Sequence, residues 1–162
     1  MNNTNIPVGL SYDDVLLVPS HSGIESRSDV SLASRVTPNN PVEIPIVSSN
    51  MDTVTETEMV KAMGDVGAVG ILHRFCTPEE QAEMIEEVSE YTVGASLGVN
   101  EEYIENARMY LEAGADFLCV DIAHGGLELC VDTVSDLSQE FPNVDIMAGN
   151  VVTTQTAKNL IE

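Results

Sequence analysis

The chain has 162 residues, 43% of them hydrophobic and 4% aromatic, which is enough to bury the core of one ordinary domain. Six Lys and Arg residues face 27 Asp and Glu residues, giving a formal net charge of -21 at pH 7. So acidic a chain is a poor partner for nucleic acid or an anionic membrane. Any phosphate site must therefore be local, built from backbone N–H groups.

The cysteines and the start of the chain predict its compartment. Cys76, Cys119 and Cys130 show no CxxC spacing, and Cys119 lies in an apolar run that predicts a core position. An odd number of cysteines and a polar start, MNNTNIPVG, without a signal-peptide pattern predict a reducing, cytoplasmic location. No apolar run reaches the roughly 18 residues of a membrane span, so no membrane partner is expected.

Apolar strands and amphipathic helices alternate from residue 44 onward. The predicted strands are 44–49, 68–72, 92–99, 116–123 and 144–152. The predicted helices are 55–67, 77–90, 100–115, 127–141 and 153–162. Continuous apolar strands between amphipathic helices predict a parallel sheet that is covered by helices.

Capping residues and apolar spacing define the predicted helices. In the first helix Thr55 and Glu58 could form a capping box, and Met59, Ala62 and Met63 share the face expected to be buried. The second helix is expected to begin with Thr77 as N-cap and Pro78 at its first position. The same patterns predict an N-cap at Asn100 and buried positions at Met84, Ile85 and Val88.

A doubly wound sheet and a (β/α)₈ barrel both fit this alternation. The motifs SSNMD, HR, DIAHG and GN fall at the carboxyl ends of strands, where barrel enzymes keep their chemistry, and no GxGxxG turn is present. The sequence thus predicts an α/β fold made of the first five strand–helix units of a (β/α)₈ barrel. Because a complete barrel needs about eight strands and about 250 residues, the chain is expected to be the front part of a longer protein or one piece of a two-chain protein.

Four segments, LSYDDVLLVPSHS, IPIVSSNMDTVTETEMVKAMGDVGAVGILHR, EAGADFLCVDIAHG and IMAGNVVT, together resemble the IMP dehydrogenase/GMP reductase family. The likeness runs from about residue 9 to residue 162. It implies a (β/α)₈ barrel and nicotinamide-linked redox chemistry at C2 of a purine nucleotide, through a covalent cysteine adduct. The family's cysteine stands in a GPGS-C-T type motif after the sixth strand, and none of the three cysteines here stands in such a motif.

The resemblance also implies which residues bind the nucleotide. Ser49, Asn50 and Met51, in the turn after the first barrel strand, would line the nucleotide pocket. A Met side chain offers a soft apolar face to a purine, and a Ser hydroxyl can hydrogen-bond sugar or phosphate oxygens. Asn150 would lie beside both nucleotide and cofactor, in a catalytic and substrate-binding position, with a simple Asn turn as the alternative.

Other strand ends would form the cofactor side. By the resemblance Asp121 would help hold the nicotinamide and the catalytic geometry, with a structural helix cap as the alternative. Ala123, His124 and Gly125 follow it, and there a glycine could let the backbone approach a ligand or turn tightly. The resemblance also places His73 and Arg74 on the cofactor side, although Arg74 could be an ordinary surface arginine.

Some sequence motifs of this chain resemble the GMP reductases of the family, and one resembles the IMP dehydrogenases. The absence of a paired regulatory (CBS) insertion after the second helix, together with DIAHG, SRSDV and HRF, resembles GMP reductases, which would use NADPH to convert GMP to IMP and ammonia. MDTVTE resembles the dehydrogenases, which would oxidise IMP to XMP with NAD and a potassium ion. The reductase is favoured. The resemblance also implies a homotetramer in the complete enzyme, and no resident metal is assigned to this chain.

Other classes of function remain as alternatives. The chain could be a non-catalytic fragment, or half of a split protein that acts only with a C-terminal half or complementary chain. Another phosphate-binding barrel, such as a sugar-phosphate isomerase, would lack the pair of motifs MDTVTE and GNVVT.

Overall fold

The computed structural model describes residues 9–162, in two units. The prediction that no signal peptide is present rests largely on residues 1–8, which lie outside the described residues. Over residues 9–31 the first unit contains two short 3-10 helices, Tyr12–Asp14 and Arg27–Asp29. Each begins with a serine and an aspartate in a capping box, Ser11 with Asp14 and Ser26 with Asp29.

The second unit, residues 32–162, contains the predicted alternation of strands and helices. Its strands are β1 (Ser34–Thr37), β2 (Asn40–Val42), β3 (Val47–Ser48), β4 (Val69–Leu72), β5 (Val93–Leu97), β6 (Phe117–Asp121) and β7 (Asp145–Gly149). Its helices are α1 (Thr57–Asp65), α2 (Pro78–Glu87), α3 (Tyr103–Ala113), α4 (Glu128–Glu140) and α5 (Thr154–Ile161).

The strands β3 to β7 form one parallel sheet in the order β3-β4-β5-β6-β7, with a helix after each strand. The sheet is curled, as in part of a (β/α)₈ barrel, which confirms the predicted fold class. Because neighbouring strands are parallel and in chain order, their carboxyl ends all lie at one end of the sheet.

Alternate strand residues supply two separate apolar cores. On the convex face, strand residues pack against the helices in a cluster that includes Leu72, Val93, Ala95, Leu97, Leu118, Val120, Ile85, Val88, Ala107 and Leu137. On the concave face a smaller cluster contains Val42, Val69, Ile71, Phe117 and Cys119. The core position predicted for Cys119 is therefore confirmed. The apolar runs of β4, β5 and β6 are explained because both faces of these central strands are covered.

The hairpin of β1 and β2 was not predicted from the sequence. The two strands pair antiparallel, with Ser34 opposite Val42 and Thr37 opposite Asn40. Val42 packs in the concave-face core. Its four-residue and three-residue strands carry Pro41 and a bulge, so they have too little alternation to be recognised as strands.

The helix starts are predicted in part. Thr77 is the N-cap of α2 and shares a capping box with Glu80, as expected, with Glu80 N 3.2 Å from Thr77 Oγ1. The prediction of Thr55 as a cap is wrong, because α1 begins at Thr57 after Glu56, and Thr55 is buried beneath the end of β3. The prediction for Asn100 is also wrong, since α3 begins at Tyr103 after Glu102, and neither helix start uses a side-chain cap.

The buried face of α1 also differs from the prediction. Val60 is fully buried against the sheet, whereas Met59 is 38% exposed and Ala62 is exposed. The helix packs on β3 and β4, and Val60 is the one residue of α1 that is buried there. In α2, by contrast, Ile85 and Val88 are buried as predicted, and Met84 packs against them. None of the helices in residues 9–162 is long and apolar enough to cross a bilayer.

Candidate functional site

A cavity of about 260 Å³ lies at the carboxyl ends of β3, β6 and β7. We call it the mouth cavity. Its polar lining includes Ser49, Asn50, Asp121 and Asn150, and its apolar lining includes Met147. The strand ends bring these residues together from three distant parts of the sequence, because parallel strands in a curled sheet converge at one end. The structure thus groups four of the predicted site residues.

The turn after β3 is held in shape by hydrogen bonds of its own. The carbonyl oxygen of Met51 accepts from the backbone N–H groups of Val54 and Thr55, each at 2.9 Å. Thr55 Oγ1 lies 2.9 Å from Ser48 Oγ and also donates to the carbonyl oxygen of Ser49. This explains the hydroxyl-rich turn: the buried threonine fixes the backbone that presents Ser49 to the cavity.

Asn50 is fixed from the neighbouring side of the sheet. Its Nδ2 donates to Ser96 Oγ at 3.0 Å, and Ser96 is fully buried in β5. The Ser96 carbonyl oxygen in turn accepts from Gln81 Nε2 at 3.0 Å. Met51, the third predicted residue of this turn, is half exposed and lies outside the cavity lining. Its contact with a nucleotide stays a prediction.

The segments after β6 and β7 are joined by backbone hydrogen bonds. Asn150 N donates to the Ile122 carbonyl at 2.8 Å, and Gly125 N donates to the Asn150 carbonyl at 2.9 Å. A Cβ atom on Gly125 would lie only 2.8 Å from that carbonyl oxygen, so a larger residue would force the two segments apart. Gly125, the glycine of DIAHG, is therefore needed so that the loop after β6 can pack closely against the backbone of Asn150.

The remaining predicted residues of this loop do not line the mouth cavity. Ala123 and His124 are exposed, and Gly125 is buried against Asn150. Their proposed contacts with a cofactor are not tested by the geometry and stay predictions.

A second depression, of about 400 Å³, lies between the carboxyl end of β5 and α3. We call it the side cleft. Arg74, Ser96, Gly98, Asn106 and Tyr110 are among the residues that line it. Ser96 belongs to both regions, because its hydroxyl bonds Asn50 of the mouth cavity. Ser96, Gly98 and Asn106 were not singled out from the sequence, although the small residues of TVGASLGV were a signal that side chains there leave space.

Arg74 connects the side cleft to β6. Its Nε donates to the Asp121 carbonyl oxygen at 3.3 Å, and its guanidinium carbon lies 5.3 Å above the centre of the Phe75 ring. His73, the residue before it, is only 3% exposed and lines neither the mouth cavity nor the side cleft. Of the two predicted cofactor residues after β4, Arg74 lines the side cleft and His73 lines neither of these two cavities.

The three cysteines are poor nucleophiles. Burial and, to a smaller extent, the Asp121 carboxylate raise the pKa of Cys119 to about 12, although a hydrogen bond with Ser96 acts in the opposite direction. Burial raises the pKa of Cys76, with smaller contributions from Glu80 and Glu56, and burial alone raises the pKa of Cys130. Since the thiolate is the reactive form, none of the three is activated for covalent chemistry. In residues 9–162 no three His, Cys, Asp or Glu side chains are grouped so that they could hold a metal ion.

Comparison with known proteins gives one consistent family. The family model described as IMP dehydrogenase / GMP reductase domain matches residues 9–162. An inosine-5'-monophosphate dehydrogenase from Cryptosporidium parvum is 32% identical over 207 residues, covering 100% of this chain and 51% of that protein. A GMP reductase from Vibrio atlanticus is 32% identical over 161 residues, covering 94% of this chain and 46% of that protein.

A shorter match is closer in sequence. A GMP reductase from Leishmania donovani is 49% identical over 83 residues, covering 51% of this chain and 17% of that protein. The chain spans about half the length of the curated relatives that match it over nearly all of its residues. Because the family model covers almost every residue and both kinds of relative match, this chain belongs to the IMP dehydrogenase / GMP reductase family.

Proposed function

We propose that residues 1–162 are the N-terminal part of a catalytic (β/α)₈ barrel without a CBS insertion, in an enzyme that reduces GMP to IMP and ammonia with NADPH. The observation that carries the proposal is the mouth cavity, where Ser49, Asn50, Asp121 and Asn150 meet at the carboxyl ends of three strands. Polar groups that converge beside an apolar Met147 suit a purine nucleotide, which has an apolar ring face and polar edges.

The nucleotide would be held mainly by the β3 turn and Asn150. The Ser49 hydroxyl and the carboxamide of Asn50 can each donate and accept hydrogen bonds. Asn150 can donate to and accept from a base or ribose at once. The partly exposed Met51 is available to cover a purine face. With few basic residues nearby, the phosphate would depend on backbone N–H groups.

The cofactor would approach from the side cleft. Arg74 supplies a positive charge with several donors, and Asp121 lies between this cleft and the mouth cavity. The Asp121 side chain would hold the nicotinamide carboxamide, and the loop of Ala123, His124 and Gly125 would lie beside it. This donor set fits a phosphorylated dinucleotide, and the bound nicotinamide would supply a hydride to purine C2.

IMP dehydrogenase is the second candidate, with NAD as cofactor and a potassium ion. The sequence motif MDTVTE in the turn after β3 favours the dehydrogenase. So does the Cryptosporidium relative, which is named as a dehydrogenase and matches along the whole of this chain.

The covalent step would require a cysteine outside this chain. Each of the three thiols here has a raised pKa, and none stands in a GPGS-C-T motif. We therefore propose a partner: a C-terminal half or complementary chain that carries the remaining strands and the nucleophile. The complete enzyme would be a cytoplasmic homotetramer that binds a purine mononucleotide and no nucleic acid.

The test is to purify this chain alone and co-expressed with a C-terminal half of a family member carrying GPGS-C-T. Both preparations are assayed with GMP plus NADPH and, separately, with IMP plus NAD. The proposal expects turnover of GMP only in the assembled protein. Turnover of IMP alone would identify a dehydrogenase. Nucleotide-dependent turnover by the 162-residue chain would refute the need for a partner. An assembled barrel without either activity would favour a non-catalytic fragment.

A further inference from the structure

His73 is a buried histidine in which only one of the two ring nitrogens has a hydrogen-bond partner within residues 9–162. Its Nδ1 accepts the backbone N–H of Phe75 at 3.1 Å. A ring nitrogen that accepts carries no hydrogen, so the hydrogen of this neutral imidazole lies on Nε2. Nε2 is buried and has no hydrogen-bond partner among the described residues, and Glu56 Oε1 lies 3.7 Å from it. Such an atom calls for an explanation, because a buried donor without a partner destabilises the fold.

The bond from Phe75 to His73 fixes the short loop between β4 and α2. The rings of His73 and Phe75 lie 6.4 Å apart and 25° from parallel. The Arg74 guanidinium lies over the Phe75 ring, and its Nε donates to the Asp121 carbonyl. The Arg74 side chain is thus held between an aromatic face and the end of β6. At the start of this loop the Phe75 N–H is held by His73, and at its end the Thr77 N–H donates to Glu80 Oε2 at 2.8 Å.

The other side of Arg74 faces β5. An added Cβ on Gly98 would lie 3.4 to 3.9 Å from the guanidinium atoms, which is ordinary van der Waals distance, so Gly98 borders the Arg74 side chain in the side cleft. A free arginine side chain has much rotamer freedom, and a guanidinium that is already oriented binds a ligand with less entropy loss.

We propose that His73 is a positioning residue, which acts through Phe75 and Arg74 and does not itself touch the ligand. Its Nδ1 holds the loop so that Arg74 stays beside Asp121 in the side cleft. Glu56 is the acceptor within reach of its Nε2–H, because a movement of about 1 Å by this exposed carboxylate would bring the two within hydrogen-bond range. The effect on cofactor affinity rests on the proposed function, whereas the orientation of Arg74 does not.

The test follows Arg74 in the full chain by nuclear magnetic resonance. Hydrogen exchange of the Arg74 Nε–H and of the Phe75 backbone N–H is measured in the wild type, His73→Ala and His73→Asn. We expect exchange about tenfold faster at both groups in His73→Ala, because the acceptor for Phe75 is lost. His73→Asn should restore slow exchange, since its Oδ1 can accept in place of Nδ1. His21→Ala, in the first unit, is the matched histidine control.

Two results would overturn the proposal: unchanged exchange at Arg74 in His73→Ala, or equal acceleration at every amide after correction for unfolding free energy. If His73→Ala does not fold, the ¹⁵N chemical shifts of the wild-type His73 ring show which nitrogen carries the hydrogen. A hydrogen on Nδ1 would exclude the bond from Phe75 and overturn the proposal. In the assembled enzyme His73→Ala should also weaken NADPH binding about tenfold and GMP binding little. A wild type that binds no dinucleotide would refute the proposed function and leave the exchange result standing.

Discussion

The Asp145 carboxylate accepts a hydrogen bond from Thr37 Oγ1 at 2.7 Å, which ties the amino end of β7 to the β1–β2 hairpin. The backbone N–H and Nδ2 of Asn39 donate to the same carboxylate at 2.7 and 2.8 Å. Partial burial raises the pKa of Asp145, but the bonds from Thr37, Asn39 and Asn40 together outweigh burial and hold the pKa below its ordinary value. One carboxylate thus closes the amino end of the sheet, opposite the mouth cavity.

Asp145→Ala should destabilise the fold, because the hairpin donors lose their shared acceptor. Hydrogen bonds to a charged group contribute about 1.5–3 kcal/mol in protected sites, and solvent screening at this partly exposed site lowers the expected loss to about 1–2 kcal/mol. Urea denaturation measures the free energy of unfolding. Asp132→Ala, an exposed acid on α4, is the control and should change it little. Equal losses in both variants would mean that Asp145 does not anchor the hairpin.

The same carboxylate predicts a dependence on pH. Since the folded state lowers the pKa of Asp145, its contribution is complete above the unfolded pKa of about 3.9 and is lost as pH falls through the lower folded value. The difference in unfolding free energy between wild type and Asp145→Asn should therefore be constant near neutrality and shrink below about pH 3.9. Denaturation curves between neutral and acid pH measure that difference. A difference that grows with acidification would contradict this assignment.

The alternation of strands and helices could be predicted because each element carries its own pattern. The five parallel strands are continuous apolar runs, and α2 begins with the capping pattern of Thr77, Pro78 and Glu80. The hairpin could not be predicted, since its partner is Asp145, a residue far away in the sequence. Local patterns find elements whose stabilising contacts are local, and miss those held by distant side chains.

Thr55→Val should destabilise the turn that presents Ser49. The Thr55 hydroxyl is fully buried, and valine would keep the volume while leaving the Ser49 carbonyl oxygen without its donor. We expect a loss of about 1–2 kcal/mol in unfolding free energy and faster hydrogen exchange at the backbone N–H of Met51. Thr53→Val is the exposed control from the same turn. A variant as stable as wild type would show that the turn holds its shape without this hydroxyl.

The candidate site was only partly predictable, for a related reason. Strand-end position pointed to the motifs SSNMD, DIAHG and GN, because the fold class fixes where parallel strands end, and the family resemblance named Ser49, Asn50, Asp121 and Asn150 within them. The burial of His73 beside the partly exposed Arg74 was not predictable, since adjacent residues at a strand end point in different directions that depend on the loop.

Asp121→Asn should slow the redox step in the assembled enzyme more than it weakens nucleotide binding. Asp121 lies between the mouth cavity and the Arg74 side cleft, so the loss of its charge would disturb the position of the cofactor. We expect kcat to fall about 100-fold, with less than about a threefold change in the Kd for GMP. Single-turnover kinetics and titration calorimetry measure the two effects. Asp52→Asn, outside the mouth cavity lining, is the control. An unchanged kcat with a lower melting temperature would make Asp121 a structural cap.

The sheet of the second unit has two outer strands, β3 and β7, each paired on one side only within residues 32–162. Ile46 and Val47, beside and in β3, are 57% and 43% exposed. Unpaired strand edges with apolar side chains favour association with another chain, whereas the net charge of -21 opposes it.

We therefore expect the isolated chain to self-associate more as salt concentration rises, because salt screens the repulsion between acidic surfaces and leaves the edge contacts intact.

Ile46→Lys should reduce this association, since a charged side chain blocks edge pairing. Leu129→Lys, at an exposed position of α4, should not reduce it. Adding the complementary C-terminal half should suppress association and sharpen the thermal transition. Light scattering across a salt series and circular dichroism melts measure both effects. A chain that stays monomeric at high salt and melts cooperatively by itself would contradict the expectation that β3 and β7 need partners.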